Sequence, residues 1–204
     1  MTQEDFYRVL DLSVVIPAHN EASRILPYLR AIRDTLSVQS RSYEIIVVDD
    51  GSRDETAALA VRQAAQPEFV FLQLSRNFGK EAALTAGLAA ARGEVVVMID
   101  ADLQHPPELI SEFVRHWRAG ADMVYAQRVD RTAESRVKRL GTRWFYRLMN
   151  GAHRFAVPPD AGDFRLMDRA AVDALLALPE RNRFMKGLYA WVGFEAVSVP
   201  YTPD

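Results

Sequence analysis

Two stretches of the chain, EIIVVDD at 44–50 and EVVVMIDAD at 94–102, run apolar at successive positions instead of alternate ones, and each stops abruptly at carboxylates. An alternating strand buries one face; a β-branched strand that is apolar throughout is buried on both, the condition of a parallel strand inside an α/β sheet. Asp49-Asp50 and Asp100-Ala101-Asp102 would then stand at the carboxyl edge of one sheet, where open α/β folds bind ligands. Such an edge suits a nucleotide and a metal.

The surrounding pattern supplies the other elements. Leu12 to Pro17 is a short apolar run, followed by helical spacing through Ile25, Leu29, Ile32 and Leu36. Tyr43–Val48 is a second strand, and Ser52 with Glu55 three residues on reads as a capping box starting a helix over Thr56–Ala65. Phe69–Leu74, a helix over Lys80–Ala91 closed by Gly93, and the strand Val95–Ile99 come next. Pro106-Pro107 open a helix with Leu109, Ile110, Phe113, Val114 and Trp117 on one face, and Met123–Ala126 is a fifth strand. This alternation predicts a parallel sheet flanked by helices. Beyond Arg128 the spacing predicts a basic amphipathic helix over about Ser135 to Asn150, a polar, proline-rich loop leading into Asp163–Met167, a helix capped by Asp168 and ending before Pro179, and a last strand over Phe194–Val199.

At 204 residues and 49% hydrophobic, the chain has the size of one domain with a real core. There is no cysteine, which removes disulfides, thiolate nucleophiles and zinc–thiolate sites and agrees with a reducing compartment. The acidic amino end is unlike a signal peptide, and no apolar run reaches the roughly 18 residues of a spanning helix. The expectation is a soluble chain, cut off in the proline-marked segment Pro200–Asp204. Formal net charge is −2, yet between Arg128 and Arg154 eight cations face only two anions. A basic block on an otherwise acidic chain points to an anionic partner: phosphate, nucleic acid or a membrane surface.

Each candidate site has a structural alternative. Asp100 and Asp102, with Gln104, offer oxygen ligands to Mg²⁺ or Mn²⁺; the alternative is loop acids capping the next helix. Asp49 and Asp50 would accept hydrogen bonds from a base or ribose, or from backbone amides around a Gly51 turn. Lys80, opening its helix, is a phosphate-facing amine or a plain helix-end cation, and the surrounding residues match neither a Walker A loop nor a GxGxxG turn. Arg128 and Arg131 would grip a substrate phosphate, with the later cations meeting lipid headgroups. Asp160 or Asp163 would orient or deprotonate an acceptor, the alternative being an acid paired with Arg165. Arg181 and Arg183 offer further phosphate forks. His105 reads as a helix-start residue.

In order along the chain, VVIPAHNE, VVDDGSRDET, LSRNFGKEAAL, VMIDADLQHPPE, DAGDFRLMDR and RNRFMKG resemble glycosyltransferase family 2 enzymes of the polyprenyl-phosphate (undecaprenyl- or dolichyl-phosphate) branch. The resemblance implies a GT-A, Rossmann-like α/β fold with a mostly parallel central sheet, a nucleotide-binding half over about 10–127 and an acceptor-side half over about 128–204. It implies inverting, metal-dependent transfer of a sugar from an NDP-sugar, UDP-sugar favoured, to a polyprenyl phosphate. Nucleic acid is not an expected partner. Pro17, Asn20, Glu21, Asp49 and Asp50 would line the nucleotide pocket. Asp100, Asp102 and Gln104 would hold metal and diphosphate, with Lys80, Ala101 and Arg165 in the substrate-binding set. Arg128 and Arg131 would meet the acceptor phosphate, Asp163 or Asp160 would lie near the reacting centre, and Arg183 would contact phosphate. Branch members continue into membrane helices, which would place the full-length protein on the cytoplasmic face of the inner membrane. Two other readings stay open: a non-catalytic nucleotide-sugar or lipid-headgroup binding module, and a phosphotransferase with an Asp nucleophile, whose motif should sit on the first strand.

Overall fold

The computed structural model describes residues 11–39, 42–102, 104–129, 161–180 and 183–202. The basic segment from Ser135 to Asn150, and with it Arg131, Asp160 and Arg181, lies outside the described residues.

The described strands form one seven-stranded sheet. They are β1 (Asp11–Ala18), β2 (Ser42–Asp49), β3 (Phe69–Gln73), β4 (Val95–Met98), β5 (Met123–Arg128), β6 (Ala161–Asp168) and β7 (Ala196–Tyr201), in the spatial order β3-β2-β1-β4-β6-β5-β7. All pairings are parallel except those of β6, which runs antiparallel to both β4 and β5. The reversal matters for the rim. The amino end of β6 meets the carboxyl ends of β4 and β5, so Asp163, not Asp168, reaches the edge where Asp100 stands.

Helices α1 (Ile25–Gln39), α2 (Thr56–Gln63) and α4 (Leu109–Arg118) pack on one face, and α3 (Lys80–Ala90), α5 (Arg169–Leu176) and α6 (Met185–Trp191) on the other. The alternate residues of each strand divide between two cores. Val14, Ile16, Val97, Phe164 and Leu166 join Ile25, Leu29, Ile32, Ile110 and Phe113, while Val15, Val48, Val96, Met98 and Met167 join Leu84, Leu88 and Val172. Every strand from β2 inward is therefore covered on both sides, which is why its sequence shows no alternation.

Local differences from the sequence reading have local causes. Ser52 does not cap α2: helix α2 starts at Thr56 behind Glu55 with no side-chain cap, and Asp54 Oδ1 takes the Thr56 amide at 3.0 Å. Ser52 Oγ instead accepts the Asn20 amide at 2.9 Å, tying the β1 and β2 loops together. The last strand passes through Pro200 instead of stopping before it, because among the described strands β7 pairs only with β5 and an edge strand tolerates a missing N–H. Asp168 does cap α5, accepting the Ala170 amide at 2.9 Å, and its other oxygen takes Trp117 Nε1 of α4 at 2.9 Å.

Candidate active site at the carboxyl rim

The ends of β1 and β2 align, Ala18 beside Asp49, so the loops that follow them share one rim. Gly51 turns there with φ of 64°, and a Cβ on it would lie 2.4 Å from the Arg76 carbonyl carbon. Only glycine allows the loop after β3 to close so tightly over the Asp49-Asp50 turn. Asp50 then fixes that loop, its two oxygens accepting the Phe78 amide at 2.7 Å and the Gly79 amide at 2.9 Å. Asp49 is fully buried and accepts from Ser52 N and Gln73 Nε2, both at 3.3 Å. Of the readings open for this pair, backbone amides are what the structure supplies to Asp50.

Two adjoining cavities open along this rim. The first, about 370 Å³, is lined by Pro17, Glu21, Asp50, Lys80, Asp100, Ala101 and Asp102 among others. The second, about 750 Å³, has Asn20, Ser52, Arg53, Gln73 and Arg76 in its wall and no carboxylate among its described lining residues. His19 and Asn77 line both. They meet as a partition: His19 Nδ1 bonds the Asp50 carbonyl at 2.8 Å, and Nε2 lies 3.1 Å from the amide nitrogens of both Asn20 and Asn77. Asn20 holds a left-handed φ of 57°, fixed by its amide to Ser52 and by its Oδ1, which accepts Arg53 N at 2.9 Å.

In the wall of the first cavity the charges converge on Lys80. Lys80, the first residue of α3, sets its ammonium 2.7 Å from Asp100 Oδ1 and 2.6 Å from Asp163 Oδ2. Burial works against that charge, but the Asp163 and Asp100 carboxylates outweigh it and hold the Lys80 pKa above its ordinary value. Asp100 is the mirror case: burial opposes its ionisation, and His105 and Lys80 outweigh burial and keep its pKa low. Glu81 is pushed up by burial and by the Asp163 charge while its Oε2 accepts Met185 N at 3.3 Å.

Asp163 is thus paired with Lys80, not with Arg165, as its structural alternative had it. Arg165 is buried, its guanidinium stacked 3.4 Å from the Tyr189 ring centroid. Arg183 is engaged elsewhere: its nitrogens donate to the carbonyls of Leu175, Leu178 and Glu180, closing the end of α5. Gln104 donates its backbone N–H to Asp102 Oδ1 at 3.0 Å. Arg128 ends β5, exposed, at the same edge as Asp100.

His105 is more than a helix-start residue. Its Nδ1 lies 2.9 Å from the Tyr201 hydroxyl, its Nε2 3.8 Å from Asp100 Oδ2, and its ring packs against Phe164 and Tyr201. Helix α4 begins only at Leu109. The His19–Asn77 partition and Glu81 are likewise residues that sequence reasoning passed over. Only the nearness of His105 to Asp102 hinted at a role.

The donor set fits a hard divalent cation. Asp100 and Asp102 present oxygen ligands on one turn, in a field that already gathers the Lys80 ammonium. Among the described residues no group of three His, Cys, Asp or Glu side chains could hold a metal, so part of its shell would come from substrate oxygens or water.

A mostly parallel sheet with this acidic turn on its rim is a GT-A fold, and solved structures agree at the level of the fold. Glucosyl-3-phosphoglycerate synthase from Mycobacterium tuberculosis, in complex with Mn²⁺, UDP-glucose and phosphoglyceric acid, superposes with a TM-score of 0.64 at 23% identity, over 96% of this chain and 71% of that one. A mannosyltransferase from Pyrobaculum calidifontis in complex with GDP-mannose and Mn²⁺ gives 0.61 at 24% identity, over 95% and 55%. The chain belongs to glycosyl transferase family 2, whose model matches residues 13–176. It is 46% identical to an uncharacterized glycosyltransferase of Synechocystis sp. over 93% of its length and 60% of that protein's. It is 42% identical to the bactoprenol glucosyl transferase of Shigella phage SfV over 94% and 63%. The chain therefore spans only about 60% of the length of the curated relatives it matches.

Proposed function

We propose that this chain is the catalytic part of an inverting, metal-dependent glycosyltransferase that moves a sugar from a nucleoside diphosphate sugar, UDP-sugar favoured, to a polyprenyl phosphate. The observation that carries the reading is the single ammonium shared by Asp100 and Asp163, with Lys80 and Asp163 83 residues apart, where Lys80 and Asp100 line a rim cavity. It joins Asp100, after β4, to Asp163 of the reversed strand β6 through two ion pairs to one ammonium. The phage relative, a bactoprenol glucosyl transferase, supports the acceptor, and the two solved structures, in complex with UDP-glucose or GDP-mannose and Mn²⁺, support a nucleotide-sugar donor and a divalent metal.

In this reading Pro17, Asn20, Glu21 and the Asp49-Asp50 turn receive the nucleotide. Asp100 and Asp102, with Gln104, hold Mg²⁺ or Mn²⁺, which would neutralise charge on the leaving diphosphate. Lys80 adds a second positive charge beside that diphosphate. A lipid phosphate oxygen attacks the anomeric carbon from the side opposite the departing diphosphate; the new carbon–oxygen bond forms as the old one breaks, and configuration inverts. A phosphate monoester has its second pKa near about 6 and arrives ionised, so Asp163 or Asp160 need only orient the acceptor. Arg128 and Arg131 grip its phosphate, in keeping with the bidentate fit of guanidinium to phosphate. No helix among the described residues is long and apolar enough to cross a membrane. The acceptor, a lipid, comes to this rim from a membrane surface, and we assign the full-length protein to the cytoplasmic face of the inner membrane.

The test is direct. Full-length protein is mixed with Mg²⁺ or Mn²⁺, UDP-sugars and a short polyprenyl phosphate, and sugar-lipid is measured. The expected result is product formation that Asp102→Asn reduces by about 10²-fold or more. No product with any nucleotide sugar, or full activity after Asp102→Asn, rejects the assignment; donor binding without turnover would make the protein a binding module.

A further inference from the structure

Strand β6 is irregular where it matters. Tyr125 of β5 pairs with Arg165 and Gln127 pairs with Ala161, so a step of two residues on β5 spans four on β6, and the register breaks between them. On the other side the β4–β6 ladder has its last pair at Met98 and Arg165. Asp163 therefore stands in a bulge that neither neighbouring strand holds in register. Bulges beside sites re-aim a side chain, but the freed backbone must be fixed by something else.

Arg165 occupies the position to do so. It is 4% exposed, and burying a cation is costly unless it is paired or hydrogen-bonded. Its Nη2 folds back to the Gly162 carbonyl at 2.8 Å, which immobilises the peptide that leads into Asp163. Its guanidinium lies over Tyr189, whose hydroxyl contacts Met98 Sδ at 3.6 Å, and Nε has no hydrogen-bond partner. An apolar side chain of similar shape would fill this space at lower desolvation cost. The guanidinium, unlike an apolar chain, can bond a carbonyl and stack on a ring at once.

We propose that Arg165 is a positioning residue for Asp163: held on the Tyr189 ring, it pins the Gly162 carbonyl and so fixes the bulge that brings the Asp163 carboxylate to Lys80 and Asp100. The sequence had placed Arg165 among substrate contacts; its enclosure beneath the rim gives it this different role. The proposal rests on the reading of Asp163 as the residue that orients the acceptor.

A double-mutant cycle in the full-length enzyme tests it, with turnover and donor KM measured for Asp163→Asn, Arg165→Met and the pair. Arg165→Met is expected to lower turnover by about 10- to 100-fold, the scale of a misplacement near 1 Å, with donor KM unchanged. Because Arg165 acts through Asp163, the pair should be no slower than Asp163→Asn alone. Should both single changes slow turnover and their losses multiply in the pair, the positioning role is overturned while the role of Asp163 stands. Should Asp163→Asn keep full turnover, the reading of Asp163 fails and this proposal fails with it. If Arg165→Met gives no cooperative melt, Tyr189→Leu, which removes the ring beneath the guanidinium, takes its place in the cycle: a loss absent from the pair supports the positioning role, and a loss that multiplies overturns it.

Discussion

Glu44 lies at the opposite edge of the sheet from the site and is nearly covered, yet it carries a charge. It accepts Ser13 Oγ at 2.7 Å, the Arg92 amide at 2.7 Å and Arg92 Nη2 at 2.8 Å, while Ser13 Oγ accepts the Gly93 amide at 2.8 Å. Burial raises its pKa, the four hydrogen bonds from Arg92 and Ser13 more than offset that, and the result lies below the ordinary 4.5. A depressed carboxylate stabilises the fold at every pH above its unfolded value and loses that contribution as pH falls through the folded one. Glu44→Gln should therefore cost about 1–3 kcal/mol at neutral pH. The gap to the parent should close on acidification below about 4.5, as read by urea melts across that range. Residues of this kind show how far the sequence reaches. Asp100 and Asp102 were legible because they lie close together and end an apolar run. The partners that define their surroundings, Asp163 on Lys80 and Tyr201 on His105, stand 83 and 96 residues away, distances that no spacing rule spans.

At the scale of elements, helix α3 is set close against the sheet. A Cβ on Gly87 would fall 2.2 Å from Val15 Cγ1 and 3.2 Å from Val48 Cγ2, so the absence of a side chain lets the helix seat directly on β1 and β2. That seating puts Lys80, at the amino end of the same helix, over the rim. Gly87→Ala gains up to about 1 kcal/mol of helix propensity. It should nonetheless lower stability by about 1–3 kcal/mol through overpacking, and Val15→Ala in the same background should recover part of the loss in thermal melts. The helices and the inner strands were readable because burial on both faces, or on one stripe, leaves a periodic trace. The direction of β6 was not. An apolar run such as FRLM reads alike in both directions, and the reversal comes from where the chain re-enters the sheet, a tertiary event with no local signal. The apparent Ser52–Glu55 cap misled for a related reason, since Ser52 found a better partner 32 residues away in Asn20.

Across the whole molecule, the rim separates two kinds of surroundings by the His19–Asn77 partition. On one side Glu21, Asp50, Asp100 and Asp102 surround a cavity of about 370 Å³; on the other, Arg53 and Arg76 stand in the wall of one of about 750 Å³. On the first side the four carboxylates outnumber the one ammonium of Lys80, so a bare diphosphate would meet a net negative field and be repelled, whereas the same diphosphate with a divalent cation would be drawn to it. On the proposed reading the nucleotide spans the partition, from Pro17, Glu21 and Asp50 on the first side to Asn20 on the second, and the second side, with no carboxylate among its described lining residues, needs no metal to receive the nucleoside. Binding to the folded state alone raises the melting point, by about 2.7 kcal/mol of stability at a ligand concentration of 100 times Kd. UDP with Mn²⁺ should therefore raise the melting temperature well beyond UDP with chelator, while uridine should give a small shift that ignores the metal. Asp102→Asn should remove the metal-dependent increment and leave the uridine shift intact. A diphosphate that stabilises the protein equally with and without the cation would mean that the acidic turn does not serve the donor, and the division of the rim into a nucleoside side and a metal side would have to be abandoned.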